Sequence, residues 1–381
     1  MTVNSDAGPL AGAGAGRFDA RLTCGGGCFM RASQLCVRLS ALTLVALTLG
    51  ACATQPSNEV RVGVGMQMAE SAPVRDYAAL YLPYAMMATA TYTDQGGLNS
   101  HQCPDRGRLA AAPPGESPSD AERRLAVRAW IGELGARGWH CEFGVTGHLD
   151  CPKRILNCKP VDGLEFHVWR RNVGGQCREV AIAFRGSDPN DIGDWVSNFR
   201  WLNRLAPKFD QYYQVQTHIK QIVQDVRSHG CGAAGTQFVS TGHSLGGGLA
   251  QQAAYADDSG SIKYVYGFDP SPVTGFFDVN ELVREHSTAG LGVDRAYEQG
   301  EILMLPRLLI ENIIPPAECR PRVRSVRFNL LTGLPVQQHN IEKLTKELRV
   351  VARQPGANSR RVFDGPRARG CTGAPMMVPP A

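Results

Sequence analysis

Several features are scarce in this chain of 381 residues, and each scarcity excludes something. Charged residues make up only 20% against 43% hydrophobic, the balance of a chain that can bury a large core, so disordered, collagen-like and coiled-coil classes are out. Lys and Arg number 40 against 35 Asp and Glu. That small excess is spread along the chain with no basic stripe and no interleaved aromatics, so nucleic acid is not an expected partner. No internal repeat is present. None of the 12 cysteines pairs with another at CxxC spacing, which sets zinc-binding modules aside and leaves an oxidising compartment to explain the count.

The N-terminal region is the next thing to place. Residues 39–51, LSALTLVALTLGA, form an apolar run too short to span a bilayer but right for the apolar part of an export signal, with Arg31 and Arg38 before it. The run ends in Leu49, Gly50, Ala51 and Cys52, which resembles the lipobox of bacterial lipoproteins. The resemblance implies cleavage before a lipid-modified Cys52 and a place in the cell envelope, anchored in the outer membrane or facing the periplasm. A start at Met30 would give a signal of ordinary length. Eight cysteines then remain, and they can pair into as many as four disulfides among about 105 connectivities, with Cys141 to Cys151 across a Gly-rich turn as the favoured pair.

Along the rest of the chain, residues 52–75 read as a polar tether, 76–352 as a single main domain and 353–381 as a Pro-, Gly- and Arg-rich flexible tail. Tyr77, Leu80, Tyr81, Tyr84, Ala85 and Ala88 recur at helical spacing and predict an amphipathic helix that covers a sheet. Strand-like runs at 164–170 and 178–184 flank Asn172, Gly174 and Gly175, a hairpin pattern. A helix is predicted over 209–227, a strand over 236–241 and a helix opening at Leu245. Strands follow over 262–268, 294–297 and 323–328, with a last helix over 341–350. Strands alternating with helices predict an α/β fold with a mostly parallel sheet covered on both faces.

The chemistry centres on Gly242, His243, Ser244, Leu245 and Gly246, a GxSxG pattern between a predicted strand and a predicted helix. In that context the serine sits on a sharp, strained turn with its hydroxyl held out, and the helix N-terminus behind it offers unpaired N–H groups to an oxyanion. With Ala183-Phe184-Arg185-Gly186-Ser187 upstream, and Asp194, Trp195 and Asn198 after it, the chain resembles the class 3 lipases, α/β-hydrolases that include the fungal lipases. The resemblance covers most of 77–350. It implies an α/β-hydrolase fold with Ser244 as nucleophile, an oxyanion hole from the N–H groups of Ser187 and Leu245, and no metal or organic cofactor. Arg185 is expected to be structural.

A nucleophilic serine needs a base, and in α/β-hydrolases the chain order is serine, acid, histidine. His286 and His339 are the histidines after Ser244. His339 follows the last predicted strand, where the family places its base, whereas His286 lies in the charged helical run NELVREHS and reads as a solvated face. Matching residues 295–306 to the family's acid segment, with one position gapped, brings Glu301 to the acid's place. Asp269, Glu298 and Asp294 stay open as rivals. The function implied is hydrolysis of lipid or amphiphilic esters through an acyl-enzyme intermediate, with phospholipase or thioesterase activity as alternatives within the same machinery. A catalytically silent envelope lipoprotein with a binding role is the alternative of another class. Apolar residues within 302–314 are candidates for a lid or acyl pocket, or for plain core.

Overall fold

Alternate residues of the central strands are apolar on both sides, and that pattern decides the architecture. In the computed structural model, which describes residues 56–64, 67–93, 103–112, 114–145, 164–187, 211–304, 306–307 and 320–364, nine strands form one sheet. They are β1 (Glu59–Val64), β2 (Gln67–Pro73), β3 (Trp139–Val145), β4 (Phe166–Val173), β5 (Gln176–Phe184), β6 (Gln237–His243), β7 (Ile262–Phe268), β8 (Gly292–Glu298) and β9 (Arg322–Phe328). The spatial order is β2-β1-β9-β8-β7-β6-β5-β4-β3. From β5 to β9 all neighbours are parallel, and antiparallel pairs close both ends.

Helices cover both faces. On one side α1 (Val74–Ala90) and α7 (Ile341–Ala352) pack over Ala181, Ala183, Val239, Tyr266 and Phe268. On the other, α3 (Gln211–Val226) and α4 (Leu245–Ala256) pack over Val180, Ile182, Phe184, Phe238 and Val265. Neighbouring strand residues thus serve opposite cores, as a period of two requires. The remaining helices are α2 (Pro118–Ala136) and the short α5 (Glu281–Ser287), α6 (Pro335–Gln338) and α8 (Arg361–Asp364). Helix α1 is buried almost all round instead of on one face. Tyr81 packs edge-on to Phe268 and Phe328 in the sheet, and Thr89 Oγ1 lies 3.0 Å from Thr345 Oγ1 of α7. Burial at that density leaves no room for a polar stripe. Among the described residues no helix is long and apolar enough to cross a membrane.

Three expectations change. Much of the stretch read as a tether is the β1–β2 hairpin: β1 pairs antiparallel with β9, and Val60 and Val62 point into the core while Glu59 and Arg61 face out. A six-residue EVRVGV alternation inside a polar run carried that signal. The first part of the tail is docked: Val362 is buried, its carbonyl accepts from Arg324 Nη1 at 2.7 Å, and Asn358 N–H donates to Asp76 Oδ1 at 2.7 Å. Cys141 bonds to Cys103, not Cys151, because β3 brings it beside the segment that precedes α2. A second disulfide joins Cys177 of β5 to Cys231. Strand β3, which the sequence reading did not anticipate, pairs antiparallel with β4 and ends the sheet. Cys52, Cys151, Asp194, Trp195, Asn198 and residues 308–314 lie outside the described residues.

Candidate active site

The C-terminal ends of β6, β7, β8 and β9 lie side by side; Ser244 and Asp269 directly follow β6 and β7, Glu301 lies three residues past β8, and His339 ends the connection from β9 to α7. That is the edge of a parallel sheet where ligands bind in open α/β folds. The turn between β6 and α4 is tight. Ser244 has φ 56° and ψ −124°, a region a side chain rarely occupies, and its main chain is tied from several directions. Its N–H donates to Phe268 O at 3.0 Å, and its carbonyl accepts from Gly247 at 3.0 Å and Ser271 at 2.9 Å. Gly246 is required here: an added Cβ would strike the Phe184 carbonyl and stand 2.9 Å from Gly186 N. At Gly186 a Cβ would collide with the His243 carbonyl and the Tyr92 hydroxyl. These close approaches bring the segment that ends in half-buried Ser187 against the start of α4, where Leu245 is the first residue and the first-turn N–H groups have no acceptor within the helix. Arg185 Nη1 pairs with Glu165 Oε2 at 2.7 Å, and its guanidinium lies over the Tyr92 ring.

Beyond β9, the single turn α6 ends at His339, and Asn340 then caps α7 by accepting from Lys343 N–H at 2.9 Å. His339 Nδ1 is 2.8 Å from Glu301 Oε2, and both side chains are fully buried. The His339 Nε2 is buried with no hydrogen-bond partner, so it is not bonded to the Ser244 hydroxyl in this structure. Glu301 Oε2 also accepts from Leu303 N–H at 2.7 Å. Its Oε1 forms an ion pair with Arg307 Nη1 at 2.9 Å, without the alignment of a hydrogen bond. Arg307 donates in turn through Nε and Nη2 to Pro270 O at 3.1 and 2.9 Å and stacks over Tyr297. Burial pushes the Glu301 carboxyl up, but the Arg307 charge and the His339 bond outweigh it and leave the group below its ordinary range.

The rival carboxylates do other things. Asp269, in a left-handed conformation at φ 40°, accepts from Glu298 N–H at 2.9 Å through Oδ1, while Oδ2 is buried without a hydrogen-bond partner, 3.9 Å from His243 Nε2. Burial and then the Glu301 charge push its carboxyl well above the carboxylate range. Glu298 accepts from Leu330 N–H at 3.0 Å and Leu331 N–H at 3.2 Å, anchoring the start of the loop that leads to His339, and burial pushes it up to about 7. Asp294 is ion-paired to Arg324 and accepts from the Tyr81 hydroxyl at 2.7 Å, inside the core. His286 is exposed on α5. His243 was quoted in the serine motif without a role of its own. Its ring centroid is 4.7 Å from that of His339, and its Nδ1 is 3.0 Å from the Tyr92 hydroxyl. Arg307 also went unforeseen; the visible hint was a lone cation within the apolar run ILMLPRLLI.

Strand order and the strained serine turn define an α/β fold whose mostly parallel sheet is flanked by helices. A family model described as a phospholipase-like, Tle-like phospholipase domain matches residues 148–264, which include both the Ser187 and the Ser244 segments. Among solved structures the chain is similar to the lipase of Rhizopus microsporus var. chinensis, at 15% identity and TM-score 0.34, covering 66% of this chain and 72% of that one. It is similar also to the Rhizomucor miehei lipase in a propeptide complex, at 15% identity and TM-score 0.35, covering 71% of each chain. Lipase II of Rhizopus niveus is a third, at 15% identity and TM-score 0.33, with 72% of this chain and 85% of that chain covered. No curated protein sequence matches.

Proposed function

We propose that this protein is a serine carboxylic-ester hydrolase that cleaves lipid or other amphiphilic esters through an acyl-enzyme intermediate. The observation that carries the reading is His339, whose Nδ1 is held 2.8 Å from an ionised, buried Glu301 while its Nε2 has no partner and its ring packs on the residue before Ser244. Glu301 keeps the proton on Nδ1, so Nε2 presents a lone pair. As Ser244 Oγ bonds to the ester carbonyl carbon, its proton passes to Nε2, and the carbonyl oxygen, now an anion, accepts from the N–H groups of Leu245 and Ser187. The C–O bond to the alcohol then breaks, and the alcohol leaves with the proton from Nε2. Water next attacks the acyl-enzyme, gives a proton to Nε2, and the acid departs as that proton returns to Ser244 Oγ.

Two observations support a lipid substrate. Leu334 and Val336, on the turn that ends at His339, keep apolar side chains exposed within five residues of the proposed base, a feature suited to acyl chains. The phospholipase family match over the stretch that holds both motifs favours phospholipids among the ester donors. Lipidation at Cys52 would keep the enzyme at a bilayer in the cell envelope, where such esters are concentrated.

The test is labelling with a fluorophosphonate probe together with rates on phospholipid, triacylglycerol, thioester and short aryl ester substrates. Wild type should label and turn over phospholipid, with labelling lost in Ser244→Ala and His339→Ala and the rate falling on the order of 10⁴-fold or more. A well-folded wild type that neither labels nor turns over any of these esters would leave a silent binding protein.

A further inference from the structure

Among the buried atoms of the site that lack a hydrogen-bond partner, three face one another: Nε2 of His243, Nε2 of His339 and Oδ2 of Asp269. The three residues each offer one ligand atom, all within 4.8 Å of one another, and His243 Nε2 stands 3.9 Å from Asp269 Oδ2. A buried polar atom without a partner is destabilising, and three converging on one point call for a common explanation. All three can present lone pairs there. His339 gives its Nδ1–H to Glu301, which leaves Nε2 bare. The Tyr92 hydroxyl lies 3.0 Å from His243 Nδ1 and 3.4 Å from the His243 carbonyl; with its proton given to the carbonyl, Nδ1 donates to the hydroxyl oxygen and Nε2 is left bare as well. Asp269 spends Oδ1 on a backbone N–H and leaves Oδ2 aimed at the histidines.

From this geometry we infer a site for a zinc-class transition-metal ion, held by His243, His339 and Asp269, that blocks the hydrolase when occupied. The donor set, two imidazole nitrogens and one carboxylate oxygen, suits zinc and its neighbours and not the oxygen-seeking Mg²⁺ or Ca²⁺. Zinc bonds of about 2.0–2.2 Å put tetrahedral ligands roughly 3.4 Å apart, so the three atoms close on the ion by about 1 Å at most, within reach of small side-chain rotations. The outer partners of a metal-binding histidine are already present: Glu301 on His339 and Tyr92 on His243 hold the ring orientations. Ion binding takes the lone pair of His339 Nε2, the same atom that accepts the serine proton. Inhibition therefore rests on the ester-hydrolase reading, whereas the binding site does not.

The experiment uses the purified full chain, with Zn²⁺ titrated against a chromophoric chelator and Co²⁺ followed by its visible absorption. Wild type and Ser244→Ala should each bind one ion, with a cobalt band of low-coordinate N/O ligation, while millimolar Mg²⁺ leaves the titration unchanged. His243→Gln and Asp269→Asn should each lose at least tenfold in affinity, and Glu301→Gln about 10- to 100-fold through His339. Zn²⁺ should inhibit aryl ester hydrolysis, and chelator should restore it. Absence of saturable binding, or binding unaltered in both His243→Gln and Asp269→Asn, overturns the site. If His243→Gln does not fold, Asp269→Asn and the wild-type cobalt spectrum decide. An active enzyme indifferent to Zn²⁺ sinks this inference and spares the hydrolase, while an inactive wild type that binds Zn²⁺ through these residues does the reverse.

Discussion

His339 faces Glu301 and His243 faces Asp269, two imidazole–carboxylate pairs within one small volume, both buried, both at the ends of parallel strands. The first is bonded at 2.8 Å, while the second stands at 3.9 Å with the facing oxygen unpartnered. Burial is common to both, so it cannot be the cause. Glu301 has the Arg307 guanidinium and the Leu303 N–H around its carboxyl. Asp269 has one N–H donor and the negative charge of Glu301 close by. A cation and an extra donor hold the first acid below its ordinary range, whereas burial and a like charge push the second well above it. Two carboxyls thus divide the roles that a single pair could not fill, and the arginine decides which takes which.

The largest expected effect separates the pairs directly. Glu301→Gln should lower kcat on a short aryl ester by roughly 10⁴-fold, because the imidazole loses its orienting charge, while Asp269→Asn, which leaves the His339–Glu301 pair intact, should cost less than about tenfold. Steady-state rates decide it, and the opposite ranking would make Asp269 the triad acid. Next, Arg307→Ala should destabilise the fold by about 3–5 kcal/mol in urea unfolding, since it leaves Glu301 as an uncompensated buried charge and frees the Pro270 carbonyl. An unchanged midpoint would remove the arginine from its deciding role.

A smaller effect concerns Glu298, which ties Asp269 to the loop before His339. Its folded pKa is raised from 4.5 to about 7, so the folded state holds the proton more tightly. That contribution is fully present below about 4.5 and is lost as pH rises toward 7, an amount on the order of 3 kcal/mol. Glu298→Gln keeps an acceptor for Leu330 and Leu331 and should flatten unfolding free energy between those pH values. A mutant curve as steep as that of wild type would assign the slope to another group.

Much of this was legible in the sequence because it was local. The GxSxG turn lies between a strand that ends at His243 and a helix that starts at Leu245, and the period-two runs gave β4 through β9 to within a few residues. Chain order pointed to His339, and alignment to an acid segment pointed to Glu301, three residues past Glu298 at the end of β8. What was not legible depends on pairing across long separations. Arg307 acquires meaning only against Pro270, and His243 against Asp269 and Tyr92. Cys103 meets Cys141 because β3 closes the sheet, a placement no spacing reveals. The β1–β2 hairpin is stable only because β9 offers an edge, so its short alternation looked like noise in a polar stretch.

If Cys52 carries the lipid proposed for it, the hairpin changes how the molecule would sit on a membrane. Residues 53–75, fully extended, would let a lipid at Cys52 hold the folded body some 80 Å away. With β1 beginning at Glu59, only residues 53–58 separate that cysteine from the sheet, a reach of about 20 Å. An enzyme on so short a leash would skim the leaflet that holds it instead of sampling the space between membranes, and its choice of lipid would be set by which leaflet that is.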